Sequence, residues 1–433
     1  MAQFPSKIER LRGIQETTFA TQILQASIAS FFEIPFREGT ATFKLNQPVE
    51  SPMHARQKMD GHPIGVLMPR GATLEFTCNL ETITTKATST VAPANGWLGQ
   101  MLEVAFGGKN LTTGTFITGA GATTASFPLS VVTTIHPGGA IGMATGAGST
   151  LECRELATKS TNTYTPKLAV TSAPAASLTV YGAASYYPDP YMDGSDVKSM
   201  QFLVEGVNDQ DRWLLLGGGL DSIEITTAVG AIPTVKFAWK FANSLKADQT
   251  GAPFGTTAST GILSTGVALA NATYTNTNTL VVVDSEFRQQ TVGTSTLSAA
   301  TLVHAPAIEW KLNVTWVAHR TPAGTQTVKQ WVRTHTPPLI SGSFTVPFEA
   351  DLIWYTARDT RLIKMLALQI GTAAATGAVL MVAPTVQITD VQREEIDGVI
   401  GTRVTWEGRN DESTTAEATF ESINDAAFRI HLF

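Results

Sequence analysis

The chain has 433 residues, of which 43% are hydrophobic and 15% charged, whereas about 25% is charged in a typical soluble domain. This length predicts roughly two to four domains, and the abundance of Thr, Ala and Gly indicates an all-β chain with weakly charged loops or a largely covered surface. The formal net charge of -6, without long Lys/Arg clusters, excludes a dedicated nucleic-acid binder.

The N-terminal stretch, MAQFPSKIERLRGIQETTF, has no apolar core behind its basic residues. It therefore does not resemble a secretory signal, and we expect the protein to remain in the cytoplasm where it is made.

The first predicted strand and helix follow one another between residues 71 and 108. Alternate residues are apolar over Gly71–Glu81, which predicts a strand with one buried face. In WLGQMLEVAFGG, Trp97–Gly108, apolar residues recur at helical spacing and Gly107 ends the pattern, which predicts a short helix.

A candidate insertion comes next, since alternating runs between Phe127 and Tyr187 are divided by Gly- and Pro-rich turns. We interpret this part as a small inserted β-domain that decorates the outside or supports stacking. A hairpin is then predicted over Ser222–Asn243, and Ala247–Thr301 is interpreted as a partly folded connector.

The second half repeats this order. Ser341–Asp351 alternates like the first strand, and RLIKMLALQIGT, Arg361–Thr372, echoes the first helix. A longer hairpin is predicted over Thr385–Asn410, with Asp397 and Gly398 in its turn.

Two matched sets of residues link the hairpins. Ile225 and Thr226 are matched with Ile388 and Thr389, and Trp239 and Asn243 with Trp406 and Asn410. The order strand, helix, hairpin thus occurs twice, which indicates an internal duplication. We predict a mainly β fold with two related β-barrel or sandwich domains, each with one short helix. The first domain takes residues 1–108 and 196–246, the insert 109–195, the connector 247–301 and the second domain 302–433.

One segment is long and apolar enough to suggest a membrane span, namely Leu362–Pro384. Lys364 and Gln369 interrupt its first half, and Gly371 and Gly377 its middle. We therefore predict a helix, a turn and a strand there, and no membrane insertion.

The sequence offers no catalytic, cofactor-binding or metal-binding motif. It has no P-loop, no GxGxxG after a strand, no HExxH and no GxSxG, and His54 and His62 lie in one loop without ligand-spaced partners. Cys78 and Cys153 are expected to be buried, idle thiols. The acidic loops leave cation binding open as an alternative; they contain Asp189, Asp193, Asp196, Glu394, Glu395 and Asp397. We predict that the protein is not an enzyme; a β-sandwich hydrolase using paired loop carboxylates remains an alternative.

Five stretches together resemble the tail tube proteins (major tail proteins) of long, non-contractile-tailed bacteriophages. They are GIQETTF, FFEIPFREGTATFKLNQ, ARQKMDGHPIGVLMPRGATLEF, MQFLVEGVNDQDRWLLLGG and PTVQITDVQREEIDGVIGTRVTW. Most of that family form hexameric rings from single tube domains. This chain carries two domains, so the resemblance implies the minority in which three chains make a pseudo-sixfold ring.

The resemblance implies a structural virion protein without cofactors. Its expected partners are other copies of itself in stacked rings, the tape measure protein in the lumen, tail terminator and tail-tip proteins, and transiently the viral DNA. We expect both hairpins to line the inner barrel, with Glu224 and Glu407 as candidate lumen residues, and 31–70 with the N-terminal arm to reach the next ring. The alternative is a baseplate, tail-tip or receptor-binding virion protein.

Overall fold

The fold is known from a computed structural model that describes a large part of the chain. The described residues are 8–17, 19–20, 31–46, 49–50, 66–67, 71–83, 96–117, 121–130, 135–145, 150–160, 162–190, 198–206, 211–246, 280, 282, 285–292, 301–313, 316–320, 328–333, 340–347, 352–372, 377–396, 398–409 and 421–433.

The protein is mainly β, with 63% of the described residues in strands and 8% in helices, which confirms the predicted fold class. The first half contains β1 Ile8–Gln15, β2 Phe32–Glu33, β3 Thr42–Asn46, β4 Val49–Glu50, β5 Val66–Leu67, β6 Gly71–Asn79, α1 Trp97–Phe106, β7 Gly107–Leu111, β8 Thr115–Phe116, β9 Phe127–Pro128, β10 Ala140–Thr145, β11 Thr150–Ser160, β12 Thr163–Pro166, β13 Thr179–Gly182, β14 Ala184–Pro188, β15 Met200–Gly206, β16 Arg212–Ala228 and β17 Thr234–Lys246. The second half contains β18 Ser285–Thr291, β19 Thr301–Leu302, β20 Ala307–Asn313, β21 Trp316–Arg320, β22 Val328–Arg333, β23 Ile340–Pro347, α2 Leu352–Asp359, β24 Ile363–Ile370, β25 Val379–Ile396, β26 Val399–Gly408, α3 Glu421–Asp425 and β27 Arg429–Leu432.

Eight antiparallel strands form a continuous half-barrel, in the spatial order β3-β6-β17-β16-β20-β23-β26-β25. The first four strands come from the first half of the chain and the last four from the second half. The two hairpins predicted from sequence are β16–β17 and β25–β26, and the two predicted alternating strands are β6 and β23. The half-barrel therefore consists of two four-stranded units placed side by side.

The remaining strands follow the same repeated plan. In the first half, β15 pairs with the beginning of β16, β1 pairs with β15, and β2 pairs with β1. In the second half, β24, β18 and β19 make the same three pairings with β25 and with each other. A helix follows β6 in one unit and β23 in the other. This shared layout supports an internal duplication.

The irregularities of the sheet also repeat. The pairing of β16 with β17 shifts between Leu220 and Ser222, and that of β25 with β26 shifts between Ile388 and Asp390. In both units the shift follows a pair formed with a tryptophan, since Leu220 lies opposite Trp239 and Ile388 opposite Trp406. A β-bulge at equivalent positions aligns the units residue by residue.

The duplication was predicted partly from wrong matches. The register supports the match of Trp239 with Trp406, but the counterpart of Ile388 is Leu220, whereas Ile225 lies opposite Val235. The larger error concerns Arg361–Thr372, predicted as the second helix. Its residues form β24, and the helix of the second unit is α2, just before it.

The physical reason for this error is burial. Seven of the eight residues of β24 are buried, including Lys364 and Gln369. A strand covered on both faces shows no alternation, so its apolar residues fitted a helical spacing by chance. In the segment Leu362–Pro384, the described residues therefore form β24 and the beginning of β25, with Gly371 and Gly377 at positive φ, and residues 373–376 lie outside the described part. Among the described residues, no helix has the length and hydropathy needed to cross a membrane.

Tryptophans fill the core beneath the half-barrel. Trp239, Trp310 and Trp406 are almost completely buried, and the rings of Trp310 and Trp406 meet edge to face with centroids 4.9 Å apart. Gly342 lies opposite both of these rings in the sheet. A Cβ atom at Gly342 would come within 2.5 Å of the Trp406 ring, so only glycine leaves space for the indole.

A separate six-stranded sheet, β8-β13-β10-β11-β12-β9, lies inside the range predicted for the insert. Its own apolar cluster includes Phe127, Ile141 and Tyr164. The strands at its base, β7 and β14, pair with each other, and β14 also pairs with β27. Another strand, β18, lies in the range predicted as connector and is bonded along its length to β24.

Candidate assembly interface

The joint between the two units is a strand pairing inside the half-barrel. The end of β16 pairs with β20, from Ser222 opposite Asn313 to Ala228 opposite Ala307. Ile223 lies opposite Leu312, and both side chains are 0% exposed. This joint buries an edge of each unit and continues the sheet from one unit into the other.

The two ends of the half-barrel carry the equivalent edges. Over the part of the chain that the structure describes, β3 pairs only with β6, and residues 390–396 of β25 pair only with β26. In the repeated plan, β3 corresponds to β20, and residues 390–396 correspond to the joint-forming end of β16. Edges of this kind are ready to pair with another strand.

One face of the half-barrel is polar across its full width. Residues directly opposite each other in an antiparallel sheet lie on the same face. One such row runs through Thr77, Lys236, Glu224, Lys311, Ser341, Glu407 and Gln387. Glu224 and Glu407, the candidate lumen residues, therefore share a face and a row, although they lie in different halves of the chain.

The opposite face carries the core and the helices. α1 packs against β16 and α2 packs against β25. In α1 nine of ten residues are buried, whereas the buried residues of α2 are Trp354 and Ala357. Because the helices cover the apolar face, the polar face is left open to solvent.

The insert packs against the second unit. The backbone N–H of Cys153 donates to Oε1 of Gln369 at 2.9 Å, and Nε2 of Gln369 donates to the carbonyl of Leu151 at 2.7 Å. Leu151, Cys153 and Leu168 share an apolar cluster with Met365 and Val382 of the second unit. The insert's β11 therefore joins the two halves of the chain, while its role in decorating the outside or supporting stacking stays a prediction.

A buried ionic cluster reinforces this contact. Glu155 on β11 is 2.9 Å from Nη1 of Arg429, 3.0 Å from Nζ of Lys167 and 3.4 Å from Nε2 of His431. Burial alone would raise the pKa of Glu155, but the charges of Arg429 and Lys167 outweigh it and lower the pKa to about 2. For His431 burial has the opposite effect, because it disfavours the charged imidazolium and so lowers the pKa despite the nearby carboxylate.

Ser185, His431 and Glu155 form a chain of contacts that superficially resembles a hydrolase triad. Nδ1 of His431 is 2.8 Å from Oγ of Ser185, on the side of the ring opposite Glu155. All three side chains are at most 2% exposed. No substrate reaches a serine sealed in this way, so the arrangement holds β14, β27 and β11 together.

Several of the other candidate residues lie in parts of the chain that the structure does not describe. His54, His62, Asp193, Asp196 and Asp397 lie outside the described residues, as does most of the range 31–70 beyond β3. Glu394 and Glu395 lie on β25, near the hairpin tip. In the described part of the chain, no group of three or more His, Cys, Asp or Glu side chains is arranged to hold a metal ion.

The cysteines behave as predicted. Cys78 and Cys153 are buried, and neither is in a disulfide. Burial raises the pKa of both thiols.

Comparison with known proteins adds no relative. No protein-family model matches the chain, and no curated protein sequence is significantly similar to it.

Proposed function

We propose that the protein is a structural virion component that assembles into stacked trimeric, pseudo-hexameric rings and so forms a phage tail tube. The observation that carries the proposal is the duplicated half-barrel. Its two units join edge to edge within the chain, and among the described residues the equivalent edges, β3 and the end of β25, each pair with a strand on one side. Repeating that joint between copies gives a closed ring in which no strand edge is left open.

The polar face supports a role as a conduit. Its side chains are mostly Thr, Ser and charged residues of both signs, such as Lys236 beside Glu75 and Glu224 opposite Lys311. DNA binds tightly to surfaces where many cations replace its counterions, so a balanced face with acidic residues lets it slide. In this proposal the polar face lines the lumen and the helices lie outside it.

The proposed partners follow from this role. Other copies of the chain form the tube, the tape measure protein occupies the lumen before ejection, and terminator and tail-tip proteins close the two ends. Viral DNA makes transient, non-specific contact. The protein would be made in the host cytoplasm, would reside in the virion tail and would act without cofactors and without inserting into a membrane.

Negative-stain electron microscopy of the concentrated protein tests the proposal. Stacked rings with a central channel, whose class averages contain three chains, are the expected result. Particles that never stack at any concentration would contradict the tube and would favour the alternative, a scarce baseplate, tail-tip or receptor-binding protein.

The lumen assignment has its own test in Glu224→Lys and Glu407→Lys. Each change places a cation in the same row of the polar face, so DNA ejection in vitro should slow while tube assembly persists. Glu286→Lys, on β18 outside the half-barrel, is the matched control. Equal ejection rates for all three variants and the wild type would contradict a lumen-facing position.

A further inference from the structure

Leu45 on β3 is exposed where its counterpart is buried. β3 contains Phe-Lys-Leu-Asn at 43–46, and β20 contains Trp-Lys-Leu-Asn at 310–313. Each strand pairs with the first long strand of its own unit, with Phe43 opposite Leu74 and Trp310 opposite Gly342. Leu312 is 0% exposed because β16 covers it, but Leu45 is 47% exposed.

The edge that would cover Leu45 can be identified by the same comparison. The bulges align Leu220 with Ile388, so Ser222 corresponds to Asp390 and Ile223 to Val391. A second pair of bulges agrees with this alignment, since the β15–β16 and β24–β25 pairings are interrupted at the same offset. In the joint, Ile223 lies opposite Leu312. Because Val391 corresponds to Ile223 and Leu45 to Leu312, Val391 is the residue that would lie opposite Leu45.

We infer that the end of β25 pairs antiparallel with β3 of a second copy of this chain, in the register of the joint between β16 and β20. Asp390 then lies opposite Asn46, Gln392 opposite Lys44 and Glu394 opposite Thr42. This inference rests on the proposed ring and specifies its contact between chains.

The chemistry of the two edges fits this register. The backbone groups of β3 and β25 pair as in any antiparallel ladder, and Leu45 is buried against Val391. Lys44 lies on the same face as Gln392 and diagonal to Glu394, within reach of a long side chain. The two edges differ and lie at opposite ends of one molecule, so each copy binds the next head to tail, and the proposed ring requires that the rotation between copies closes after three chains.

Engineered disulfides test the register. Lys44→Cys combined with Gln392→Cys places cysteines opposite each other, within the distance that a disulfide spans. Lys44→Cys combined with Glu394→Cys is shifted by two residues on the same face, where the Cα atoms are roughly 7–8 Å apart. Cys78 and Cys153 are buried and should not interfere. Under mild oxidation of assembled protein, we expect covalent multimers from the first pair, and none from the second pair or the single variants.

A second variant separates assembly from folding. Leu45→Lys changes a side chain that is already half exposed in the single chain, so its melting temperature should match the wild type. Assembly should need roughly tenfold more protein or fail, because the interchain contact loses a buried leucine. Leu302→Lys, 44% exposed on β19, is the control and should assemble normally.

The outcomes distinguish this inference from the tube itself. Tubes that form without in-register cross-links, cross-links from the shifted pair, or normal assembly of Leu45→Lys would overturn the register but leave the tube standing. In-register closed oligomers that never stack would support the register and contradict the tube. Wild-type protein that neither cross-links nor stacks would contradict both.

Discussion

Replacing Glu155 by Gln should weaken the contact between the insert and the second unit and lower the free energy of unfolding. The variant removes the carboxylate but leaves Arg429 fully buried and Lys167 largely buried. A buried cation without its partner costs about 3 to 5 kcal/mol. We expect the free energy of unfolding at pH 7 to fall by about that amount, as measured by urea unfolding followed through tryptophan fluorescence.

The pH dependence of the unfolding free energy gives a second, independent value for the stability that Glu155 contributes. The pKa of Glu155 falls from 4.5 in the unfolded reference to about 2 in the fold. Its ionised form therefore contributes about 3.5 kcal/mol of stability, at about 1.4 kcal/mol for each pKa unit. Because the folded pKa is the lower one, this contribution is complete above pH 4.5 and is lost as the pH falls towards 2. The difference in unfolding free energy between the wild type and Glu155→Gln should therefore become smaller as the pH falls from 4.5 towards 2.

Glu75→Gln is the matched control. Glu75 also pairs with a lysine, Lys236 at 3.4 Å, but both side chains are about half exposed. Its loss should change the unfolding free energy by at most about 1 kcal/mol. An equal loss of unfolding free energy in Glu155→Gln and Glu75→Gln would contradict a buried ionic contact at Glu155. So would a difference between Glu155→Gln and the wild type that is the same at pH 7 and pH 2.5.

Two further predictions concern the core. Gly342→Ala should destabilise the fold by about 1 to 3 kcal/mol, because the new methyl group meets Trp406 and the carbonyl of Glu309. The melting temperature should fall accordingly, and an unchanged value would contradict the packing described. Cys78 and Cys153 should resist Ellman's reagent at pH 8 in the native protein and both react in denaturant, because burial raises the pKa of each thiol; rapid native reaction would place a thiol near the surface.

Six of the eight half-barrel strands, all except β3 and β20, were predicted from the sequence, because buried and solvent-facing residues alternate along them. In β17, buried Val235, Phe237, Trp239 and Phe241 alternate with more exposed neighbours, so the period of two is visible in the letters. The match of Trp239 with Trp406 was recoverable for the same reason, since both lie next to a bulge in equivalent hairpins.

The sequence failed where both faces of a strand are covered. Nothing in β24 reveals that Lys364 reaches Thr291 or that Gln369 binds the insert, because those partners lie far away along the chain. The sequence carries one signal for the equivalent edges, the Lys-Leu-Asn shared by β3 and β20. The strand order is needed to show that β16 covers Leu312 in β20, whereas Leu45 in β3 is exposed.

The position of β27 between β14 and β25 has a consequence for the timing of synthesis. Glu155 meets Arg429 across a separation of 274 residues. At roughly 5–20 residues per second, a ribosome needs at least about 14 s to make that interval. Throughout it, Glu155 has Lys167 of the insert as a partner but still lacks Arg429 of β27. The contact between Glu155 and Arg429 therefore forms only after the strand that carries Arg429 has been synthesised.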